Sequence, residues 1–495
     1  MPIISTSTAV TDTSSILTVA CDYDVSKGGL IVDLSPHFIP SSAAPSEDES
    51  FSSQQGLSTP KSLSEGDDNP DDENDHYIQV MTKRMRRQSL IRSSSYFSLF
   101  AMMLSFPKLE YDDSSYSDEN YATFTKFVYG SLMSNKAPVL ESLTLTLGPN
   151  FQAIDVGIWI ETAVCHRVHA IIVNTLPYEE KGTMISLPSS IYTCETLETL
   201  ELSGCFCLND IPFSVCLPSL KTLEIINVEV SSLTRLLSGC PNLDHLVVHQ
   251  EDIDVDIVVP SLRKLNMVNY TGGQKGGGFV IDARSLVSLY IKDDVFNDYH
   301  RIEYMPKLEE AYVDITCGVR DHKFLKAFTC ARALSLCLSF LEVLSPRSMI
   351  FHNLVYLTLN TCVHCWWDLV THMLQDSPKL RFLKLHDEHD LSITSIEPPD
   401  CWKPPSSVPK CLLHTFADFE WHGYTGRRGD AVMATYLIEH ATWLKEAVFF
   451  SEESDDKRDT MLEDFTSVAA PSPCFTFYWS SDQGMTYSCY ILRKK

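Results

Sequence analysis

The sequence is short of positive charge: 39 lysines and arginines face 65 aspartates and glutamates, for a formal net charge of −26. General nucleic-acid binding and attachment to an anionic membrane both require a basic footprint, so neither partner is expected. Long hydrophobic runs are also missing. No stretch reaches the roughly 18 apolar residues of a membrane-spanning helix. The opening Met1-Pro2-Ile3-Ile4-Ser5-Thr6 lacks the basic and apolar regions of a signal peptide. The expectation is an intracellular protein of the nucleus and/or cytoplasm. Its 16 cysteines should then be mostly reduced thiols that pack, not a disulfide framework. The sequon Asn269-Tyr270-Thr271 would carry no meaning in that compartment.

Catalytic signatures are absent as well. There is no G-x-S-x-G elbow. The glycine-rich run Gly272-Gly273-Gln274-Lys275-Gly276-Gly277-Gly278 lacks the Lys-Ser/Thr ending of a phosphate-binding loop and reads as a loop between two strands. Cys362, His364, Cys365 and His372 are the ligand types of a tetrahedral zinc site. Yet Cys362 closes a strand phrase and should face inward, while Cys365-Trp366-Trp367 opens an apolar stretch. No catalytic residue, cofactor or metal is therefore expected, and the chain is not read as an enzyme.

What the sequence does have is a recurring phrase: an apolar residue, two variable residues, a leucine, one variable residue, then another aliphatic. It reads Leu197-Leu200-Leu202, Leu220-Leu223-Ile225, Leu243-Leu246-Val248, Leu262-Leu265-Met267, Leu286-Leu289-Ile291, Leu354-Leu357-Leu359 and Leu380-Leu383-Leu385. Looser copies start at Leu140, Val168, Leu308 and Ala331. Successive copies lie 19 to 29 residues apart, the period of leucine-rich repeats, about 20–29. Alternation within x-Leu-x-Leu makes a short strand with aliphatics on one side and variable residues on the other. One such strand cannot bury its aliphatic row alone, so repeats stack into a parallel sheet over one elongated core. The fold class is thus α/β, a leucine-rich-repeat solenoid: a curved parallel sheet with short helices and loops on its convex side.

Local signals agree. Prolines 218, 241, 306 and 378 stand just ahead of strand phrases, where a missing N–H costs least. Val230 to Leu237 reads as a short helix stopped by Gly239. Cys205 and Cys362 follow their last aliphatics by three residues, where a small buried hydrophobe fits.

Composition divides the chain. Residues 1–95 are acidic and serine-rich with few aromatics, and include Glu65-Gly66-Asp67-Asp68-Asn69-Pro70-Asp71-Asp72-Glu73; such a segment should be disordered. Lys83, Arg84, Arg86, Arg87 and Arg92 are either a nuclear-import signal or a solvated charge run. Residues 96–139 read as an N-terminal cap, residues 140–396 as the repeats, and residues 451–495 as an extension with a final strand. In residues 397–450 the prolines around Trp402 impose an extended crossing. Phe416, Phe419 and Trp421 then alternate as a strand, Gly423-Tyr424-Thr425-Gly426 turns, and Ala434, Leu437, Ile438, Ala441 and Leu444 recur at helical spacing. The segment from Leu444 to Phe450 returns to the strand rhythm, and residues 397–450 as a whole read as a C-terminal cap of the solenoid.

These residues resemble a known family. Trp402-Lys403-Pro404-Pro405, Val408-Pro409-Lys410-Cys411-Leu412-Leu413, Phe419-Glu420-Trp421-His422-Gly423-Tyr424-Thr425-Gly426 and Ala434-Thr435-Tyr436-Leu437-Ile438-Glu439-His440-Ala441 look like the FBD domain of plant F-box/leucine-rich-repeat proteins. The solenoid opening Phe106-Pro107-Lys108-Leu109-Glu110-Tyr111-Asp112-Asp113 is similar too. The resemblance implies a plant protein that selects substrates for a cullin-based, SCF-type ubiquitin ligase. It also implies an F-box that docks a Skp-type adaptor. Residues 1–75 do not show that helical apolar pattern, and the basic close of an F-box survives at most as Thr82-Lys83-Arg84-Met85-Arg86-Arg87 without its tryptophan. An F-box-less interaction scaffold without ligase coupling is the alternative expectation.

A solenoid offers its strand face as a continuous surface, so variable residues beside the leucines are the candidates for contact with a target protein. Glu201, Glu224, His245, Lys264, Tyr290, Tyr312, Tyr356 and Lys384 are the chosen set, the tyrosines foremost.

Overall fold

The computed structural model describes residues 21–24, 29–32, 106–113, 116–176, 184–230, 232–251, 253–270, 278–293, 300–315, 324–338, 349–361, 366–386, 402–451, 474–480 and 487–492. Backbone contacts divide the chain into two units, one of residues 1–17, 107–133 and 138–495, the other of residues 18–106 and 134–137. In the smaller unit Cys21–Asp24 and Gly29–Val32 pair as an antiparallel hairpin. The rest of the segment expected to be disordered, the basic cluster at 83–92 and the apolar run 96–105 lie outside the described residues.

The larger unit is built on one sheet of sixteen strands whose order in space is their order along the chain. They are β1 Lys108–Asp112, β2 Ser142–Leu147, β3 Ala170–Thr175, β4 Thr199–Ser203, β5 Thr222–Ile226, β6 His245–Glu251, β7 Lys264–Tyr270 and β8 Ser288–Asp293. Then follow β9 Glu310–Ile315, β10 Ala333–Leu338, β11 Tyr356–Asn360, β12 Phe382–His386, β13 Asp418–His422, β14 Glu446–Ser451, β15 Cys474–Ser480 and β16 Tyr487–Leu492. Every pair is parallel except the last.

The register sets the leucines side by side: Leu200 pairs with Leu223, Leu223 with Leu246, and Leu246 with Leu265. All four are essentially excluded from solvent. Each such side chain contributes roughly 1.5–3 kcal/mol of transfer free energy, which is why a strand too short to stand alone is held by its neighbours.

Behind the sheet the chain returns by different routes. Helices α1 Tyr121–Ser134 and α2 Ala153–Cys165 serve the first coils; of the helix expected over Val230 to Leu237, Val230 lies instead in the short strand Glu229–Val230 and α3 runs Leu233–Ser238, capped by Ser232 and ended at Gly239. In the middle coils the return segments are strands, not helices. Val255–Val258, Phe279–Asp282 and His300–Ile302 form a second, three-stranded parallel sheet that buries Val255, Ile257, Phe279, Ile281 and Ile302. The β-branched and aromatic residues alternating there favour extended backbone over a helix.

The segment read as a C-terminal cap continues the same sheet. Its strands β13 and β14 register onto β12, with Leu383 opposite Phe419 and Trp421 opposite Phe449. Helix α4 Trp366–Asp376, the single turn α5 Lys410–His414 and α6 Arg428–His440 back these coils. Aromatic rings lock them: Trp366 meets Trp421 edge-on with centroids 5.6 Å apart, and the Trp402 indole N–H donates to the Thr371 hydroxyl at 3.0 Å. Gly429 is where α6 closes on α4. A Cβ there would lie 2.6 Å from the Trp367 ring. The expected turn at Gly423 and Gly426 is present, both at positive φ.

Polar residues, not cysteines, hold the strand ends in the coils where they are described. The buried Asn269 accepts from the Ile253 N–H at 2.8 Å and donates to Asp293 at 2.9 Å. The Thr175 hydroxyl takes the Cys205 N–H at 2.7 Å and donates to the Ser203 carbonyl. Asp113 accepts from the Gly148 N–H. Cys205 itself is only half-buried, because the interior at its coil is filled by Phe206 and Leu208. Cys362 lies outside the described residues.

Candidate protein-binding face

The odd positions of each strand point away from the leucine core and form three rows across the sheet. The middle row runs Glu201, Glu224, Val247, Asn266, Tyr290, Tyr312, Ser335, Thr358, Lys384 and Glu420, each beside the next by register. All eight candidate residues stand on this face, but not as one cluster. Glu201 lies against Glu224. His245 lies beside Lys264 in the row nearer the strand starts. Tyr290 and Tyr312 stack with centroids 4.5 Å apart and planes within 6°. Tyr356, 46% exposed, sits further along the row of His245 and Lys264, against Phe382 and away from the stacked pair. Lys384 stands beside Glu420.

Two flanking positions with the same alternation are not free surface. Val247 is 6% exposed and Asp314 1%, the latter 3.8 Å from the Lys292 ammonium.

The electrostatics follow from this packing. Burial, reinforced by the neighbouring Glu224, pushes the Glu201 carboxyl above the ordinary carboxylate range. Two half-buried acids side by side repel, which adds to the effect of burial at Glu201.

A third row was missed in the sequence. His386, His422, Phe450 and Tyr478 follow one another in ring contact, the last three in register: His422 stacks on Phe450 at 4.1 Å and Phe450 on Tyr478 at 4.8 Å. Burial, then the charges of Lys384 and His386, hold the His422 imidazole below its usual range, with Glu420 at 3.4 Å opposing them. Aligning Asp418-Phe419-Glu420-Trp421-His422 with Phe382-Leu383-Lys384-Leu385-His386 would have found this row, since both carry the same alternation.

Of the four metal-type residues, His372 is on α4, its Nδ1 against the Asp368 carbonyl at 2.7 Å. Cys362, His364 and Cys365 lie outside the described residues. Among the described residues no helix is long and apolar enough to cross a membrane.

A stacked sheet whose leucines are shared and whose other face carries charged and aromatic side chains defines a leucine-rich-repeat protein-interaction module. The family model described as the LRR repeats of FBD-associated F-box protein At5g56370 matches residues 156–311, and the FBD model matches residues 403–449. The F-box/FBD/LRR-repeat protein At4g26340 of Arabidopsis thaliana is 50% identical over 374 residues, 74% of this chain and 88% of the relative. The putative F-box/FBD/LRR-repeat protein At4g26350 of the same plant is 41% identical over 389 residues, again 74% and 88%. The chain belongs to the F-box/FBD/LRR-repeat family. No solved structure matches it.

Proposed function

We propose that this protein recognises a target protein on the open face of its sheet and presents it to an SCF-type, cullin-based ubiquitin ligase through a Skp-type adaptor. It acts by binding, without catalysis of its own, in the nucleus and/or cytoplasm. The observation that carries the reading is the face itself, where Glu201, Glu224, Tyr290, Tyr312 and Lys384 share one row of an otherwise aliphatic sheet. Tyrosines and charged side chains at strand spacing are the chemistry of protein interfaces. Family membership supports the ligase coupling.

The test is co-purification of the full chain with a Skp-type adaptor. Stoichiometric binding at micromolar concentration is expected, and no binding there overturns the coupling. A second reading, an interaction scaffold without a ligase, is favoured by the sequence of residues 1–75, which lacks an F-box pattern. It predicts target binding with no adaptor bound.

A further inference from the structure

We infer that the FBD coils carry a second docking surface, on the rim where their strands begin. Trp443 seats an aromatic or aliphatic side chain of an acidic protein segment, and Lys410 and Lys445 hold the acids on either side of it. The surface is separate from the open face and does not rest on the reading of that face.

The rim has a rule, and Trp443 breaks it. In five coils the residue just ahead of the first apolar position of the strand phrase is small and polar. Thr196, Ser219, Asn242, Ser261 and Thr415 each donate to a carbonyl of the preceding coil, at 2.6–3.0 Å. The register of Phe419 with Ala447 gives Trp443 the same position in the next coil. There the side chain is an indole, 63% exposed. A fold that closes this joint elsewhere with a hydroxyl or an amide has no packing use for an exposed tryptophan. Departures from a local rule without a structural gain mark functional places.

The surroundings define the partner. The Thr442 N–H donates to the Leu412 carbonyl at 3.0 Å, which brings the Trp443 segment against α5. Leu413 on that turn is 41% exposed, so the two apolar side chains stand on adjoining segments of one surface. Lys410, three residues before Leu413, shares its side of the turn and is exposed. Lys445, two residues after Trp443, is exposed as well. Elsewhere the rim pairs its charges, as Lys221 is paired with Glu198. Lys445 instead follows Ala417, its N–H on the Ala417 carbonyl at 2.7 Å, and neither it nor Lys410 has an ion pair among the described residues. Lys379, at the position of Thr415 and Trp443, extends the basic edge two strand spacings away, about 10 Å. Of the nearby acids, Glu446 opens β14 in the row of Asp418, on the open face, and Glu439 stands on the last turn of α6.

A tryptophan flanked by lysines is complementary to a segment with one apolar side chain between acids. The chain as a whole, at −26, repels such segments. That field is screened beyond about 8–10 Å, so an acidic segment is held only where lysines stand close to an apolar anchor.

The experiment is selection from a display library of random peptides of about twelve residues, long enough to run from Trp443 to Lys379, against the purified full chain. Selected peptides are then synthesised and titrated against the native protein, Trp443→Ser, the double variant K410E/K445E and the open-face control Lys384→Glu. A class with acids on both sides of one aromatic or aliphatic residue is expected. Trp443→Ser and the double variant should each weaken it about tenfold or more, or about 1.4 kcal/mol, and the control should leave it unchanged. On the native protein, replacing the peptide's apolar residue by serine or its acids by amides should cost as much. That arm does not depend on how the variants fold.

Selection of no peptide that depends on Trp443 overturns the inference. So do Trp443-dependent peptides that are basic or uncharged, and acidic peptides indifferent to the double variant. A native chain that sediments as a dimer and becomes a monomer on Trp443→Ser overturns it too, because the occupant is then a second copy. None of these outcomes bears on the open-face reading.

Discussion

At the scale of single residues, burial and registered neighbours decide the chemistry. Glu201 titrates high because it is half-buried and Glu224 lies beside it. Glu224→Gln should therefore lower the Glu201 midpoint, read by carboxyl carbon NMR, and an unchanged midpoint would show that the two do not interact. Asp113 is likewise raised, first by burial. A carboxyl whose folded pKa is raised contributes stability that is present below its unfolded pKa and is lost as pH rises through the folded pKa. Asn in its place keeps an acceptor for the Gly148 N–H, so Asp113→Asn should gain in melting temperature relative to the native chain as pH rises above the carboxylate range. A pH-independent difference would refute this. Burial also pushes the Cys240 and Cys411 thiols up to about 12. In the folded protein both should resist alkylation while the exposed Cys165 and Cys216 react, as mass spectrometry of the labelled chain would show.

At the scale of elements, close packing and strand-end hydrogen bonds set the tolerances. Gly429 allows α6 to rest against Trp367, and Gly429→Ala would drive a methyl into that ring. Overpacking of this kind costs about 1–3 kcal/mol. The expected result is a lower denaturation midpoint, with the loss of hydrogen-exchange protection centred on α4 and α6. Asn269 serves both a backbone N–H and a buried carboxylate. Asn269→Ala removes both hydrogen bonds and should cost about 1–3 kcal/mol, most visibly as faster exchange at Ile253.

At the scale of the whole molecule, each coil leans only on the next, so damage should stay near its source. Leu223 is buried between Leu200 and Leu246, and Leu223→Ala should cost about 2–5 kcal/mol. Exchange protection is expected to fall across β4 to β6 and to persist in β12 to β14. Equal loss everywhere would mean that the sheet unfolds as one cooperative block. The FBD strands belong to the same ladder as the repeats, which makes this segment part of the scaffold's length and not a separate lid.

How much of this was legible in the sequence depends on distance along the chain. The strand phrase, the inward direction of its leucines, the turn at Gly423 to Gly426 and the FBD motif string are all written within a few consecutive residues, because side-chain alternation in a strand and backbone preference in a turn are local properties. The partners of those residues across strands are not local. Glu201 meets Glu224, Tyr290 meets Tyr312, and His422 meets Phe450 only through registers between separate coils. Asn269 reaches Asp293 in the same way, and a lone asparagine or a cysteine after a strand carries no local mark of which will close the coil. By itself the sequence determined a leucine-rich stack with one side buried and the other available. Tertiary structure alone decided which open-face residues touch, since that depends on hydrogen-bond register between strands that the chain joins only after a full turn of the solenoid.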